Sequence, residues 1–195
     1  MPIINICVYC GSNKGKNTAF LNAADELGVY IGKSDLNLIY GGARVGMMGA
    51  VANGALNHGA KVTGVLPRFL ANEKEVPHLN LTELKLVDTM HERKHLMFSL
   101  SDAFVILPGG IGTLEEFAEI ITWLQLGSHN KPVCLLNIEG FYDPLLNLFS
   151  NMQRENFIHE NLMDSLIIEN SIINAMEKLK HWEIKPLGKK WELDA

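Results

Sequence analysis

The sequence predicts an α/β fold, a doubly wound parallel sheet with helices on both faces. Short apolar runs alternate with longer amphipathic ones along most of the chain. One run, Ala103 to Leu107, is wholly apolar, as a strand buried on both faces should be. Glycine follows three of the strands, at Cys10-Gly11-Ser12, Tyr40-Gly41-Gly42 and Leu107-Pro108-Gly109-Gly110. Strand–helix alternation of this kind is the signature of parallel sheets, which bind ligands beyond the carboxyl ends of their strands.

Taken in order, Ile3–Tyr9 is the first strand, and Asn17–Lys33 has helical spacing through Phe20, Leu21, Ala24, Leu27 and Ile31. A strand is expected over Leu36–Tyr40, a tightly packed Ala-, Met- and Gly-rich helix over Gly46–His58, and a strand over Val62–Leu66. Pro67–Asn80 is polar and reads as a long loop. The alternation in Leu81–Val87 predicts a strand, and Met90–Ser101 a helix. After the strand at 103–107 come a helix over Thr113–Leu126 and a strand over Val133–Asn137. Asp143-Pro144 marks a helix start, with Asp as the cap and Pro in the first turn; that helix should reach about Asn156. Ser165–Ile168 is the last short strand, and Ser171 should cap a helix ending near His181. Residues 1–180 are expected to form one domain and 181–195 a tail, with Trp182, Lys189, Lys190 and Trp191 as tail residues or a subunit contact.

Composition narrows the function. A chain of 195 residues that is 47% hydrophobic and 20% charged can bury a core without staples. Its 17 basic and 22 acidic residues leave a net charge of −5, the wrong sign for gripping a nucleic-acid backbone. No segment has the run of about 18 apolar residues that a membrane helix needs. MPIINICVYCGS lacks a basic region ahead of its apolar stretch, so a cytoplasmic protein is expected. Three cysteines, Cys7, Cys10 and Cys134, do not make a disulfide framework.

The sharpest motif is PGGIGTLEE, Pro108–Glu116, between the buried strand and an amphipathic helix. Glycines let backbone amides turn toward a ligand, and a helix start supplies unpaired N–H groups and positive potential. Together they make a phosphate cradle. The run matches neither GxxxxGK[ST] nor GxGxxG, which disfavours a triphosphate loop or NAD. A plainer reading is a capping box, with Glu116 closing back on Thr113. On a helical wheel Phe117, Ile120, Ile121 and Leu124 face the core, Glu115 and Glu119 fall away from it, and Glu116 sits at the stripe's edge beside Trp123.

His91–His95 reads HERKH, which matches the zinc-protease pattern HExxH. The wheel sets Met90, Leu96, Met97 and Leu100 on the buried face and His91, Glu92 and His95 opposite, so solvated or partner-facing histidines are expected instead of zinc ligands. Arg93 falls in the middle of the buried face, with Lys94 at its rim. A guanidinium keeps its charge on burial and needs an anion, either Glu116 or a substrate phosphate. Cys7 and Cys10 form a CxxC on alternate faces of a strand, which fits ordinary buried thiols better than a redox pair. GGARVGMMG, Gly41–Gly49, reads equally as a second ligand loop or a strand–helix packing joint.

These motifs together resemble the LOG ("lonely guy") family, the cytokinin-activating phosphoribohydrolases, known in older usage as putative lysine decarboxylases. The resemblance spans about residues 3–180 and rests on CVYCGS, YGGARVGMMG, MHERK, PGGIGTLEE and TWLQLG. It implies a Rossmann-like α/β protein, at least dimeric, that hydrolyses the N-glycosidic bond of purine riboside 5'-monophosphates, such as AMP or cytokinin nucleotides, to free base and ribose 5-phosphate. By resemblance Arg93 and Glu116 are catalytic, Gly109, Gly110, Gly112 and Thr113 form the phosphate loop, and Lys94 and Thr122 contact substrate. Gly11, Ser12, Gly41, Gly42, Gly46 and Met90, within the same motifs, complete the expected substrate-binding set. No metal or redox cofactor is expected, and the partners are a small nucleotide monophosphate and a second copy of the chain. Two departures stand out: Arg68–Asn80 does not align with the family pattern, and Ala43-Arg44 replaces a more glycine-rich stretch. A non-catalytic nucleotide-binding or regulatory protein and, more remotely, a zinc peptidase are the competing functions.

Overall fold

A computed structural model describes residues 3–73, 77–158 and 160–183. Seven strands form one sheet in the order β4-β3-β2-β1-β5-β6-β7, with every neighbouring pair parallel. In chain order the elements are β1 (Asn5–Tyr9), α1 (Thr18–Lys33), β2 (Asn37–Tyr40), α2 (Gly46–Asn57), β3 (Val62–Pro67), α3 (Arg68–Glu73) and β4 (Glu83–Val87). Then follow α4 (Met90–Leu100), β5 (Ala103–Ile106), α5 (Ile111–Gln125), β6 (Val133–Leu136), α6 (Asp143–Arg154), α7 (Glu160–Ser165), β7 (Leu166–Glu169) and α8 (Ile172–Lys180). A 3-10 turn, Ile138–Gly140, links β6 to α6.

The doubly wound expectation holds, and the alternation of strand side chains explains it. Ile6, Val8, Leu38, Tyr40 and Val105 point to one face, where they meet Leu27 and Ile31 of α1, Val51 of α2 and Met176 of α8. Cys7, Tyr9, Ile39, Phe104 and Ile106 point to the other, against Met97 of α4, Phe117 and Ile120 of α5 and Phe149 of α6. Phe104 and Phe117 are fully buried; aromatic side chains of this size carry much of a core's hydrophobic stabilisation. Winding proceeds outward from β1 to β4, then restarts at β5 on the other side of β1, in register Ile6 to Ala103. The order therefore reverses between β1 and β5, and a crevice is expected at their carboxyl ends.

Several expectations need correction. The polar stretch expected to be a long loop contains α3, and α7 fills a stretch before β7 where the sequence predicts no element. Helix α5 begins at Ile111, not Thr113, and its N-cap is Gly110, with no side-chain capping bond. Thr113 is thus a helical residue, and the Thr113–Glu116 capping box does not form. Asp143 is the first helical residue of α6, after Tyr142 in the cap position, and its Oδ1 accepts from Asn137 Nδ2 at 2.7 Å. Ser171 stands at the N-cap of α8 without a side-chain bond. Trp182 is no free tail residue: it is half-buried against the core and donates from Nε1 to the Ser165 carbonyl at 3.2 Å. Lys189, Lys190 and Trp191 lie outside the described residues. No described helix is long and apolar enough to cross a membrane.

Candidate active site

The loops leaving β1 and β5 meet at the reversal point, where the Gly11 amide donates to the Pro108 carbonyl at 3.1 Å. Helix α5 starts immediately after, and its first intrahelical bond at this end runs from the Leu114 amide to the Gly110 carbonyl. The amides of Ile111, Gly112 and Thr113 therefore have no acceptor within the helix, and the helix dipole adds positive potential where they emerge. They border a cavity of about 250 Å³ whose wall includes Cys10, Gly11, Ser12, Gly110, Ile111, Gly112 and Thr113 from the two loops. Met48, Met90, Arg93, Glu115 and Glu116 complete it.

Arg93 and Glu116 come from different helices and are both buried, with 4% and 6% exposure, yet both border this cavity. Arg93 is fixed from behind: Nε donates to the Val65 carbonyl and Nη2 to the Gly41 carbonyl, both at 3.2 Å. Those carbonyls lie in β3 and just after β2, so two strands aim the guanidinium. Gly41 leaves room for it, since a Cβ there would stand 1.9 Å from Nη2. Nη1 lies toward the Met90 sulfur at 3.9 Å. A cation so held presents its charge to the cavity without the entropy of a free side chain.

The thiols follow the sheet. Cys7 packs toward α4 and α5 and Cys10 toward α1 and α2, as alternation requires. Burial pushes the Cys7 thiol up to about 12, a hydrogen bond with Tyr9 opposes the rise, and the Glu116 charge adds to it. Burial, then Glu116, also raises Cys10. Both remain protonated thiols at neutral pH, and all three cysteines are free and buried. The redox reading of CxxC has no geometric support.

Lys94 is more deeply placed than the rim position expected of it. Its side chain is 8% exposed, and its ammonium donates to Glu115 and, at 3.1 Å, to Glu119. Burial works to lower its pKa, but the bonds to Glu115 and Glu119 outweigh this and leave it raised. Lys94 does not border the cavity, and neither does Thr122, whose hydroxyl donates to the Ala118 carbonyl at 2.7 Å on the exposed side of α5. A pyridoxal-type decarboxylase would need a lysine free to form a Schiff base. Lys94, ion-paired and held protonated, does not fit that group.

The other expected residues divide. Gly11, Ser12, Gly110, Gly112, Thr113 and Met90 border the cavity. Gly109 instead lines an adjoining hollow of about 260 Å³ with Phe20, Met47 and Phe141, and shares Gly11, Ser12 and Gly110 with the first. Gly41, Gly42 and Gly46 act from behind the wall. Gly46 has φ of 61° and passes so near the Ser12 loop that a Cβ would meet the Ser12 carbonyl oxygen at 2.0 Å, so this part of GGARVGMMG is a packing joint. His91, Glu92 and His95 are exposed, as expected. Glu92 has a structural role: Thr89 Oγ1 accepts its amide at 3.1 Å, and its Oε2 accepts the Asp88 amide at 2.9 Å, which closes the start of α4. Among the described residues no cluster of three or more His, Cys, Asp or Glu could hold a metal.

Sequence reasoning missed Glu115, Cys10, Met48 and Ile111 as wall residues, and missed the partners of Lys94. The i, i+4 spacing of Glu115 and Glu119 set two carboxylates on one face and was the available signal.

The chain is thus a doubly wound α/β protein with amides, a buried cation and a buried carboxylate around the crevice at its reversal point. Comparison with known proteins narrows the class. The family described as "Possible lysine decarboxylase" matches residues 48–179. A cytokinin riboside 5'-monophosphate phosphoribohydrolase of Rhodococcoides fascians is 44% identical over 176 residues, 90% of this chain and 89% of that protein. One from Arabidopsis thaliana is 40% identical over 193 residues, 97% and 90% of the two chains. Among solved structures, the molybdenum cofactor carrier protein of Chlamydomonas reinhardtii shares the fold at a TM-score of 0.71 and 20% identity, over 92% of this chain and 98% of that one. The chain belongs to the LOG family, the phosphoribohydrolase family that carries the lysine decarboxylase label.

Proposed function

We propose that the protein hydrolyses the N-glycosidic bond of purine riboside 5'-monophosphates, AMP or cytokinin nucleotides, and releases free base and ribose 5-phosphate. The observation that carries this reading is the pair Arg93 and Glu116, two buried opposite charges on separate helices bordering one amide-lined cavity. The printed names of the 40–44% identical relatives support the reaction class.

In this reading the amides of Gly112 and Thr113, with Gly110 and the Ser12 loop, hold the 5'-phosphate at the start of α5. The anchored phosphate sets the distance from the sugar to the helix, so C1' comes to rest near Glu116, five residues beyond the helix start. Cleavage of the C–N bond leaves positive charge on the sugar ring. The Glu116 carboxylate stabilises that charge and orients the attacking water. Arg93 balances the carboxylate and contacts phosphate or ribose. Water adds hydroxyl to C1', and its proton leaves with the departing base.

The protein is further proposed to act as a homodimer or larger homo-oligomer. Ile111, Leu114, Ala118, Thr122 and Leu126 make an exposed stripe along α5, with Ile111 82% exposed at the cavity edge. Apolar stripes of this kind mark protein contacts. On it Thr122 would face a partner, in keeping with its place outside its own cavity.

The deciding experiment incubates the protein with AMP and isopentenyladenosine monophosphate and measures free base. Base release is expected; none from any purine or pyrimidine monophosphate rejects the reading.

A further inference from the structure

The loop that runs from β5 into α5 is held at successive residues, and each hold comes from a different part of the fold. The Leu107 amide donates to the Tyr9 carbonyl of β1 at 2.9 Å, and the Pro108 carbonyl accepts from the Gly11 amide. Pro108 has no amide of its own to place. The hold between these two comes from a side chain: the Tyr142 hydroxyl donates to the Leu107 carbonyl at 2.7 Å. Both residues are buried, Leu107 completely. Burial raises the Tyr142 phenol above its ordinary range, so it stays a protonated donor at neutral pH.

Tyr142 is itself aimed by a strained turn. Glu139 and Gly140 both take left-handed conformations, with φ of 53° and 69°. Asn137 braces the turn: its Oδ1 accepts the Tyr142 amide and its Nδ2 donates to Asp143 Oδ1, both at 2.7 Å. Asp143 in turn packs so close that a Cβ on Gly140 would meet its Oδ2 at 2.6 Å. A non-glycine residue at positive φ persists only where its surroundings over-determine it, and such strain gathers at functional sites. The turn also carries Phe141, which borders the hollow that Gly109 and Gly110 line.

This bracing converges on the start of α5. The amides of Ile111, Gly112 and Thr113 follow directly on the loop, so a shift of the Leu107 carbonyl moves them relative to Arg93 and Glu116. Gly109 leaves no slack to absorb such a shift, since a Cβ there would lie 2.1 Å from Thr113 Oγ1. We infer that Tyr142 is a positioning residue: its hydroxyl, aimed by the Asn137-braced turn, sets the course of Leu107–Gly110 and so places the amides that hold the substrate phosphate. The inference rests on the phosphate-binding part of the function proposed above.

The test reads ribose 5-phosphate binding by calorimetry, kcat and KM with AMP, and the melting temperature. Tyr142→Phe removes one oxygen and keeps the ring. Ribose 5-phosphate should bind about tenfold more weakly, KM for AMP should rise by a similar factor, and kcat should fall by up to about tenfold. Leu179→Ala, in α8 on the opposite face of the sheet, is the control: it should lower the melting temperature at least as far and leave binding and KM unchanged. A folded Tyr142→Phe protein that binds as the native protein does, whatever its melting temperature, overturns the inference. Equal losses of binding in the two variants overturn it as well, because the effect then follows stability alone. Should Tyr142→Phe fail to fold, Asn137→Ala carries the test by releasing the Tyr142 amide: binding about threefold weaker is expected, and unchanged binding overturns the inference. Ribose 5-phosphate binding without base release in the native protein sinks the hydrolase reading alone, and a native protein that binds no ribose 5-phosphate rejects the phosphate site and this inference together.

Discussion

Replacing Glu116 by glutamine removes one negative charge from the cavity and changes almost nothing in side-chain volume. The carboxylate is 6% exposed, so water screens it poorly, and the cavity it borders is lined by the two glycine loops, Met48 and Met90 beside the charged Arg93 and Glu115. For a full unit of charge about 4 Å away, at the effective dielectric constant of about 20 that suits protein sites, the lost attraction is about 4 kcal/mol. Only part of that charge develops on the sugar in the transition state, so about 3 kcal/mol is expected, a fall in kcat of about a hundredfold or more. KM for AMP should hold steady or drop slightly, because the lost carboxylate repelled the phosphate. The assay is free adenine by chromatography over an AMP series, beside a melting curve to show that the variant folds. A folded Gln variant with kcat within tenfold of the native enzyme would refute the charge-stabilisation argument and reassign Glu116.

Three further outcomes test other parts of the structure. Gly41→Ala puts a Cβ on top of the Arg93 guanidinium; overpacking should lower stability by about 1–3 kcal/mol in urea unfolding, and the shifted cation should reduce kcat by about a hundredfold. His129, buried, with Nε2 3.0 Å from the Ile120 carbonyl and Nδ1 accepting the Lys131 amide at 3.1 Å, has its pKa lowered chiefly by burial, as has His78. The unfolded chain then takes up protons before the native protein, so their contribution is full above an ordinary histidine pKa of about 6.5 and is lost as pH falls through the lower native values. Urea midpoints should therefore fall between pH 7.5 and 5.5, and His129→Gln should flatten that slope; an unchanged slope counts against the assignment. His91→Ala should leave stability within about 0.5 kcal/mol and turnover unaltered, and purified protein should lack stoichiometric zinc; zinc lost with the variant would revive the peptidase reading.

Much of this protein could be read along the chain, because the signals involved are local. Strand runs such as Ala103–Leu107 and helix stripes such as Phe117, Ile120, Ile121 and Leu124 depend on residues a few positions apart. The burial of Arg93 and the exposure of His91 and His95 followed from a helical wheel for the same reason. The start of α5 was misjudged because capping depends on where β5 lets the chain go. The Pro108 carbonyl, held by the Gly11 amide from a distant loop, sets the turn so that Gly110 takes the cap that Thr113 seemed to offer.

Periodicity and glycine spacing sufficed for the parallel α/β architecture, the glycine loop at 108–113 and the two residues on which the proposed chemistry turns. Which groups meet across the chain was a matter for the folded molecule. Val65 and Gly41 aim Arg93, Glu115 and Glu119 hold Lys94, and Gly46 packs on Ser12 without touching the cavity. Those meetings depend on β1 lying between β2 and β5, an adjacency created by long-range strand pairing that no short stretch of residues encodes.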